Sequence, residues 1–124
     1  MDRKQMGIFG EQKACEMLMM DGYRILERNY RCRIGEIDIV AVDRHGADGR
    51  SEQSRPGEGP TIVFVEVKTR ASDRFGRPAE AVTAKKQEKI KKVALWYMKD
   101  KGLEGYDMRF DVIEVFVNHI RGAF

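Results

Sequence analysis

Glu66 and Lys68 stand two residues apart in the stretch Thr61-Ile62-Val63-Phe64-Val65-Glu66-Val67-Lys68-Thr69-Arg70. The β-branched and aromatic run before them predicts a strand near the middle of a sheet. Alternation along a strand puts Glu66 and Lys68 on one face with Ile62, Phe64 and Arg70, and Val63, Val65 and Val67 on the other. Charges at the end of a buried strand must be paired, metal-bound or open to a cleft. Two more acids raise the same question. Asp38 is flanked by Ile37, Ile39 and Val40, and Glu11 falls on a helical apolar stripe between Ile8 and Cys15. If the three carboxylates converge, they repel one another as bare acids but form an oxygen cage for a hard divalent cation, Mg²⁺ or Mn²⁺. A metal so held activates water and clamps a phosphodiester oxygen. Lys68 could then orient the nucleophile or offset charge on the transition state. The blander reading is a structural ion-pair network at a sheet end, with Glu11 reaching water from the edge of its helix.

The elements that must position these groups can be read in order. Residues 5–21 predict a helix stopped by Gly22, with Ile8, Ala14, Cys15, Leu18 and Met19 as its buried stripe. Gly7 and Gly10 would let its backbone approach a neighbour closely. Residues 23–33 predict a first strand with a basic end, where Arg28, Arg31 and Arg33 interleave with Tyr30, a mix suited to phosphate contact and base stacking. Residues 34–43 predict a second strand, with Ile37, Ile39 and Ala41 on one face and Glu36, Asp38, Val40 and Val42 on the other. Residues 44–60, polar and Gly-rich with Pro56 and Pro60, predict a long mobile loop; His45 within it is isolated. After the central strand, residues 71–77 predict a loop, and Pro78 opens a helix that runs to about Lys101 before Gly102. Its expected stripe is Val82, Ile90, Val93, Ala94 and Tyr97, widened by Trp96 and Met98. Lys86 falls on that stripe, while Lys85, Lys89, Lys91 and Lys92 mostly face outward. Residues 109–118, apolar on both sides, predict an interior last strand. Helix, three strands, helix, strand is an α/β order that favours a mixed central sheet with a helix on each face.

Composition bounds the class. The 124 residues predict one domain, 1–124, large enough to bury roughly two-thirds of its unfolded surface. A net charge of +3 does not by itself establish a nucleic-acid partner. Cys15 and Cys32 lack metal-type spacing and are expected as reduced thiols in a cytoplasmic protein. No apolar run reaches membrane length, and no h-region follows the first residues, so no membrane partner is expected.

Asp38 followed by Glu66-Val67-Lys68 resembles the PD-(D/E)xK nuclease pattern of restriction-endonuclease-like proteins. The wider set Gly7-Ile8-Phe9-Gly10-Glu11, Asn29-Tyr30-Arg31, Gly35-Glu36-Ile37-Asp38, Phe64 to Arg70, Phe75-Gly76 and Arg109-Phe110-Asp111-Val112 resembles the YraN-like family. That bacterial family is related in fold to archaeal Holliday-junction resolvases. The likeness runs almost end to end, apart from the longer 44–60 loop, and Gly35-Glu36-Ile37-Asp38 replaces the literal Pro-Asp. The resemblance implies a restriction-endonuclease-like αβββαβ core and Mg²⁺-dependent hydrolysis of DNA phosphodiester bonds, in branched or repair-intermediate DNA. It implies metal binding by Asp38 and Glu66, the Val67 carbonyl as a further ligand, Glu11 completing or water-bridging the shell, and catalytic help from Lys68. Lys86 and Gln87 are lesser candidates near the site; Arg31, Arg33, Arg70, Arg74 and Lys89 are candidates for phosphate contact. Junction resolvases act as dimers, which implies a homodimer here. The rival reading is a catalytically silent nucleic-acid-binding or scaffolding module that kept the nuclease fold.

Overall fold

The computed structural model describes residues 2–44, 59–70 and 82–124. Helix α1, Arg3–Met20, is opened by a reciprocal cap: Asp2 Oδ1 accepts from the Gln5 N–H at 2.8 Å, and Gln5 Oε1 accepts from the Asp2 N–H at 2.9 Å. Gly22, at φ 86°, follows its C-cap as expected. Strands β1 (Arg24–Arg31), β2 (Glu36–Asp43) and β3 (Thr61–Arg70) follow, then helix α2 (Ala84–Asp100) and strand β4 (Asp107–Phe116). The sheet order is β1-β2-β3-β4, with antiparallel pairs β1/β2 and β2/β3 and a parallel pair β3/β4. This is the expected mixed α/β arrangement, a four-stranded sheet with one helix packed on each side.

Two apolar layers hold it. On one face Ile37, Val40, Ile62 and Phe64 pack with Val93, Ala94, Tyr97 and Met98 of α2. The Tyr97 ring meets Tyr30 and Phe64 edge to face, at 4.9 and 5.8 Å between centroids. On the other face Ile39, Ala41, Val63 and Val65 pack with Ala14, Cys15 and Leu18 of α1. Gly10 makes the second contact possible: a Cβ there would fall 1.8 Å from Thr69 Oγ1. Gly7 meets open space instead, so close approach belongs to Gly10 alone of the two. At the end of the sheet where β3 begins, Arg109 donates to Asp43 at 2.7 Å, to both Asp111 oxygens at 2.9 Å and to the Tyr23 hydroxyl at 2.7 Å, tying β2 and β4 to the residue just ahead of β1.

Several expectations are corrected. Ile8 and Met19 are 58% and 52% exposed and leave the α1 stripe to Gly10, Ala14, Cys15 and Leu18. At 3.6 residues per turn they lie roughly 120° and 140° around the axis from Ala14, too far to reach a sheet approached this closely. Helix α2 begins at Ala84, not Pro78, because Thr83 caps it by accepting the Lys86 N–H at 3.2 Å. Lys86, in this first exposed turn, is off the buried stripe, and Trp96 points outward. Strand β4 is an edge strand, with Phe110, Val112 and Phe116 exposed. Helix α2 is centred over β1, β2 and β3, and an apolar run alone does not say where a covering helix will lie. Residues 45–58, most of the stretch expected as a loop and including His45, and residues 71–81 lie outside the described residues.

Candidate active site where two strands part

The β2/β3 ladder ends at the pair Ile39 and Val65, although β3 continues beside β4 to Arg70. Asp38 is the next residue of β2 past that last pair. Its Oδ2 accepts the Val67 N–H at 2.8 Å, so a side chain of β2 takes a β3 donor that a ladder carbonyl would otherwise meet. The expected alternation along β2 breaks at this residue. Ile37 lies in the α2 layer, whereas Ile39 and Ala41 lie in the α1 layer, and Asp38 is the step between them. On β3 the alternation holds: Ile62 and Phe64 face α2, and Val63, Val65 and Val67 face α1.

Glu66 meets Asp38 across the gap. Both are half-buried and share a hydrogen bond between their side chains. Burial, then the Asp38 charge, pushes the Glu66 carboxyl up to about 7 against the opposing charges of Lys86 and Lys68. Burial also raises Asp38, against the Val67 N–H that favours its charged form. Both carboxyls are thus pushed toward the protonated form, and they titrate as a pair. Of the two lysines, Lys86 bears more strongly on Glu66 than Lys68, although the sequence favours Lys68. Lys68 is half-buried and stands opposite Glu114 in the β3/β4 register.

Glu11 approaches from α1. Its carboxyl is raised by burial and by the Asp38 charge, against the nearby Asn29 side chain, which favours the charged form. Among the described residues, no three His, Cys, Asp or Glu side chains form a group that could hold a metal ion. The arrangement is a close acid pair with Glu11 within electrostatic reach, rather than a three-acid cage. A pair is adequate donor chemistry for Mg²⁺, which takes one or two carboxylates and keeps several waters. Two crowded carboxyls whose charged forms are disfavoured in the absence of a cation fit such an ion.

A cleft of about 480 Å³ opens at Glu66 between the β1–β2 turn and α2, lined by Arg31, Cys32, Gly35, Glu36, Lys86, Lys89 and Ile90. The Lys89 stem passes over Gly35, where a Cβ would lie 3.1 Å from Lys89 Cε. Arg31 pairs with Glu36 at 3.1 Å; both are well exposed, so the pair is weak and exchangeable. Arg33 is exposed in the same turn. A second cleft, about 320 Å³, lies on the other side of Glu66 and Ile90 between α2 and β4, with Gln87 and Lys91 on its helical wall. Gln87 Nε2 donates to the Val82 carbonyl at 2.7 Å, fastening the start of α2. Arg70 ends β3 half-buried, and its Nε has no hydrogen-bond partner among the described residues. Arg74 lies outside the described residues.

Asn29 is the contributor that reading the sequence for chemistry overlooks. Its one signal is an Asn in the middle of a strand pattern, a residue type that tolerates a left-handed backbone.

No helix among the described residues is long and apolar enough to cross a membrane. Comparison with known proteins matches residues 10–115 to the uncharacterised protein family UPF0102. A UPF0102 protein of Caldicellulosiruptor saccharolyticus is 44% identical over 118 residues, covering 95% of this chain and 87% of its own. One from Syntrophus aciditrophicus is 50% identical over 109 residues, covering 88% and 74%. One from Moorella thermoacetica is 41% identical over 133 aligned positions, covering 100% and 98%. With the match running from within α1 almost to the end of β4, the chain belongs to the uncharacterised protein family UPF0102, the YraN-like group.

Proposed function

We propose that the protein is a Mg²⁺- or Mn²⁺-dependent endonuclease that hydrolyses phosphodiester bonds in branched or repair-intermediate DNA. The observation that carries this reading is the half-buried Asp38–Glu66 pair at the parting of β2 and β3, with Lys68 and Lys86 bearing on it. Asp38 and Glu66 would hold the cation through carboxylate oxygens, with the Val67 carbonyl as a further donor and Glu11 acting directly or through water. A divalent cation bound there supplies a Lewis acid for a phosphodiester oxygen and a more acidic water. Lys68 places positive charge beside Glu66, where it can hold the attacking water or offset charge that develops on phosphorus. Lys86 adds a second cation from α2. Arg31, Arg33 and Lys89 would take phosphates along the basic rim of the cleft, and Arg70 and Arg74 are further candidates for phosphate contact. As with the resolvases it resembles, the working unit in this reading is a homodimer in the cytoplasm.

The test is cleavage of four-way, nicked and linear DNA by the purified protein, with Mg²⁺, with Mn²⁺ and with EDTA. The expected result is metal-dependent cutting that favours the branched substrate. DNA binding without cutting under any metal would replace this reading with the silent binding module.

A further inference from the structure

Asn29 has a left-handed backbone, φ 53°, within β1; the other positive-φ residues recorded among the described residues are glycines. Its register partner would be Asp38: Arg28 pairs with Ile39 and Tyr30 with Ile37, and the 29/38 pair between them is missing from the ladder. Residues two apart on a strand should share a face. Here they do not, on either strand. Arg28 reaches α1 through a 3.1 Å hydrogen bond to Gln12 Oε1, while Tyr30 packs on Tyr97 of α2. Across from them Ile39 belongs to the α1 layer and Ile37 to the α2 layer. Both strands therefore change face at one step, and Asn29 and Asp38 are that step.

We propose that Asn29 is the positioning residue of this site: its left-handed backbone turns Asp38 sideways toward β3, and its amide holds Glu11 toward Asp38. A positive φ on one strand is accommodated by a matching turn on the strand paired with it. That turn aims Asp38 along the sheet, at the Val67 N–H, instead of into either apolar layer. The Asn29 side chain also lies within hydrogen-bonding reach of the Glu11 carboxyl. Arg28 anchors the adjacent Gln12, so two consecutive residues of β1 hold two consecutive residues of α1. Glycine could supply the backbone and most polar residues could supply a donor, whereas Asn supplies both with little strain. Asn29 touches neither substrate nor cation in this account; it acts through Asp38 and Glu11. Its part in metal binding rests on the proposed nuclease reading, but its part in aiming Asp38 does not.

Three variants separate the two roles. Asn29→Gly keeps the positive φ and removes the amide; Asn29→Val disfavours the positive φ; Asn29→Asp tolerates it but sets a carboxylate against Glu11. Amide hydrogen exchange at Val67, measured in EDTA, reports whether Asp38 still accepts its N–H. Wild type, Asn29→Gly and Asn29→Asp should protect Val67 alike, whereas Asn29→Val should exchange there at least about tenfold faster, with Val63 and Val65 unchanged as internal controls. Calorimetric Mn²⁺ titration of the same proteins should show affinity lowered roughly 10- to 100-fold in Asn29→Gly and Asn29→Asp, the usual effect of losing a residue that orients a ligand. Equal Val67 protection in folded Asn29→Val and wild type would overturn the backbone role. Unchanged Mn²⁺ affinity in Asn29→Gly would overturn the side-chain role. Absence of Mn²⁺ binding by wild type itself would overturn the nuclease reading and with it the side-chain role, while the exchange data would still decide the backbone role.

Discussion

The Asp38 carboxylate accepts the Val67 N–H at 2.8 Å, just past the last β2/β3 ladder pair, and this contact sets the candidate site. It satisfies a donor that the parting strands would strand, and brings Asp38 beside Glu66, the residue before Val67. One hydrogen bond thus links the shape of the sheet to the crowding of two acids.

That crowding leads to the first prediction. Asn at position 38 can still accept the Val67 N–H through its amide oxygen, but it brings no charge to Glu66. In EDTA, Asp38→Asn should melt at or above the temperature of wild type. Wild type should gain about 2.7 kcal/mol from Mg²⁺ at one hundred times its dissociation constant, and the variant should lose most of that gain. A structural ion-pair network predicts the reverse: a loss of about 3–5 kcal/mol in the variant and indifference to Mg²⁺ in both proteins. Thermal melts across a Mg²⁺ titration read both quantities.

Gly10 and Gly7, one turn of α1 apart, should respond oppositely to alanine. A Cβ at residue 10 would lie 1.8 Å from Thr69 Oγ1 and 3.0 Å from Thr69 Cβ, so helix and strand must separate. Gly10→Ala should cost about 1–3 kcal/mol, the usual range for overpacking. Gly7 meets nothing within 4 Å, and Gly7→Ala should stabilise by up to about 1 kcal/mol through helix propensity. Adding Thr69→Ala should recover part of the Gly10→Ala loss. Equal melting temperatures for the two single variants would show that α1 does not rest on Thr69.

Much of this arrangement is legible before folding. Ile62, Val63, Phe64 and Val65 announce a strand buried on both faces, and regular alternation then assigns Glu66 and Lys68 to a common side. Alternation is informative only while the backbone stays extended, and at Asn29 it does not. A sequence reading therefore places Asp38 on a face with Val40, whereas the folded strand turns it toward Val67. The position of β4 fails to show for a different reason. Phe110, Val112 and Phe116 are as apolar as a buried strand would require, and the placement of α2 over β1, β2 and β3 leaves them exposed. Lys86 is a third case. Its periodicity puts it on the α2 stripe, but the Thr83 cap makes it part of an exposed first turn near Glu66.

DNA affinity should fall steeply with salt, because phosphate contacts release counterions. Neutralising Arg31 and Arg33 together should reduce the slope of log affinity against log salt by roughly 2 if both touch phosphate. Arg31 must leave Glu36 to do so, and the exposed 3.1 Å pair gives it little reason to stay. Glu36→Gln alone should therefore raise affinity modestly. A double-arginine variant with the wild-type slope would place that turn off the DNA surface.

Lys68→Ala should abolish metal-dependent cleavage while leaving DNA affinity within a few-fold of wild type, since in this reading its charge acts on the transition state more than on the bound DNA. Lys86→Ala is the informative companion. Lys86 bears more on Glu66 than Lys68 does, but it projects from an exposed helical turn. Its removal should slow cleavage without abolishing it. Full activity in Lys68→Ala together with none in Lys86→Ala would move the catalytic cation from β3 to α2.

The pH dependence of stability in EDTA should carry the signature of the acid pair. Glu66 titrates near 4.5 when its surroundings are water and at about 7 in the folded protein. Between these values the folded state holds more protons than the unfolded state, so stability must fall as pH rises. The contribution is complete below about 4.5 and lost above about 7. Asp38 shifts in the same direction and the two titrate as a pair, so the melting curve reports a joint transition. Its size should be on the order of 1–2 kcal/mol, below the full shift because water still reaches the half-buried pair. Glu66→Gln should remove most of the decline, and saturating Mg²⁺ should mask it in wild type by stabilising the charged forms. Stability in EDTA that stays flat or rises from pH 5 to 7 (~2 pH units across the expected decline) would mean that the two carboxyls do not crowd each other.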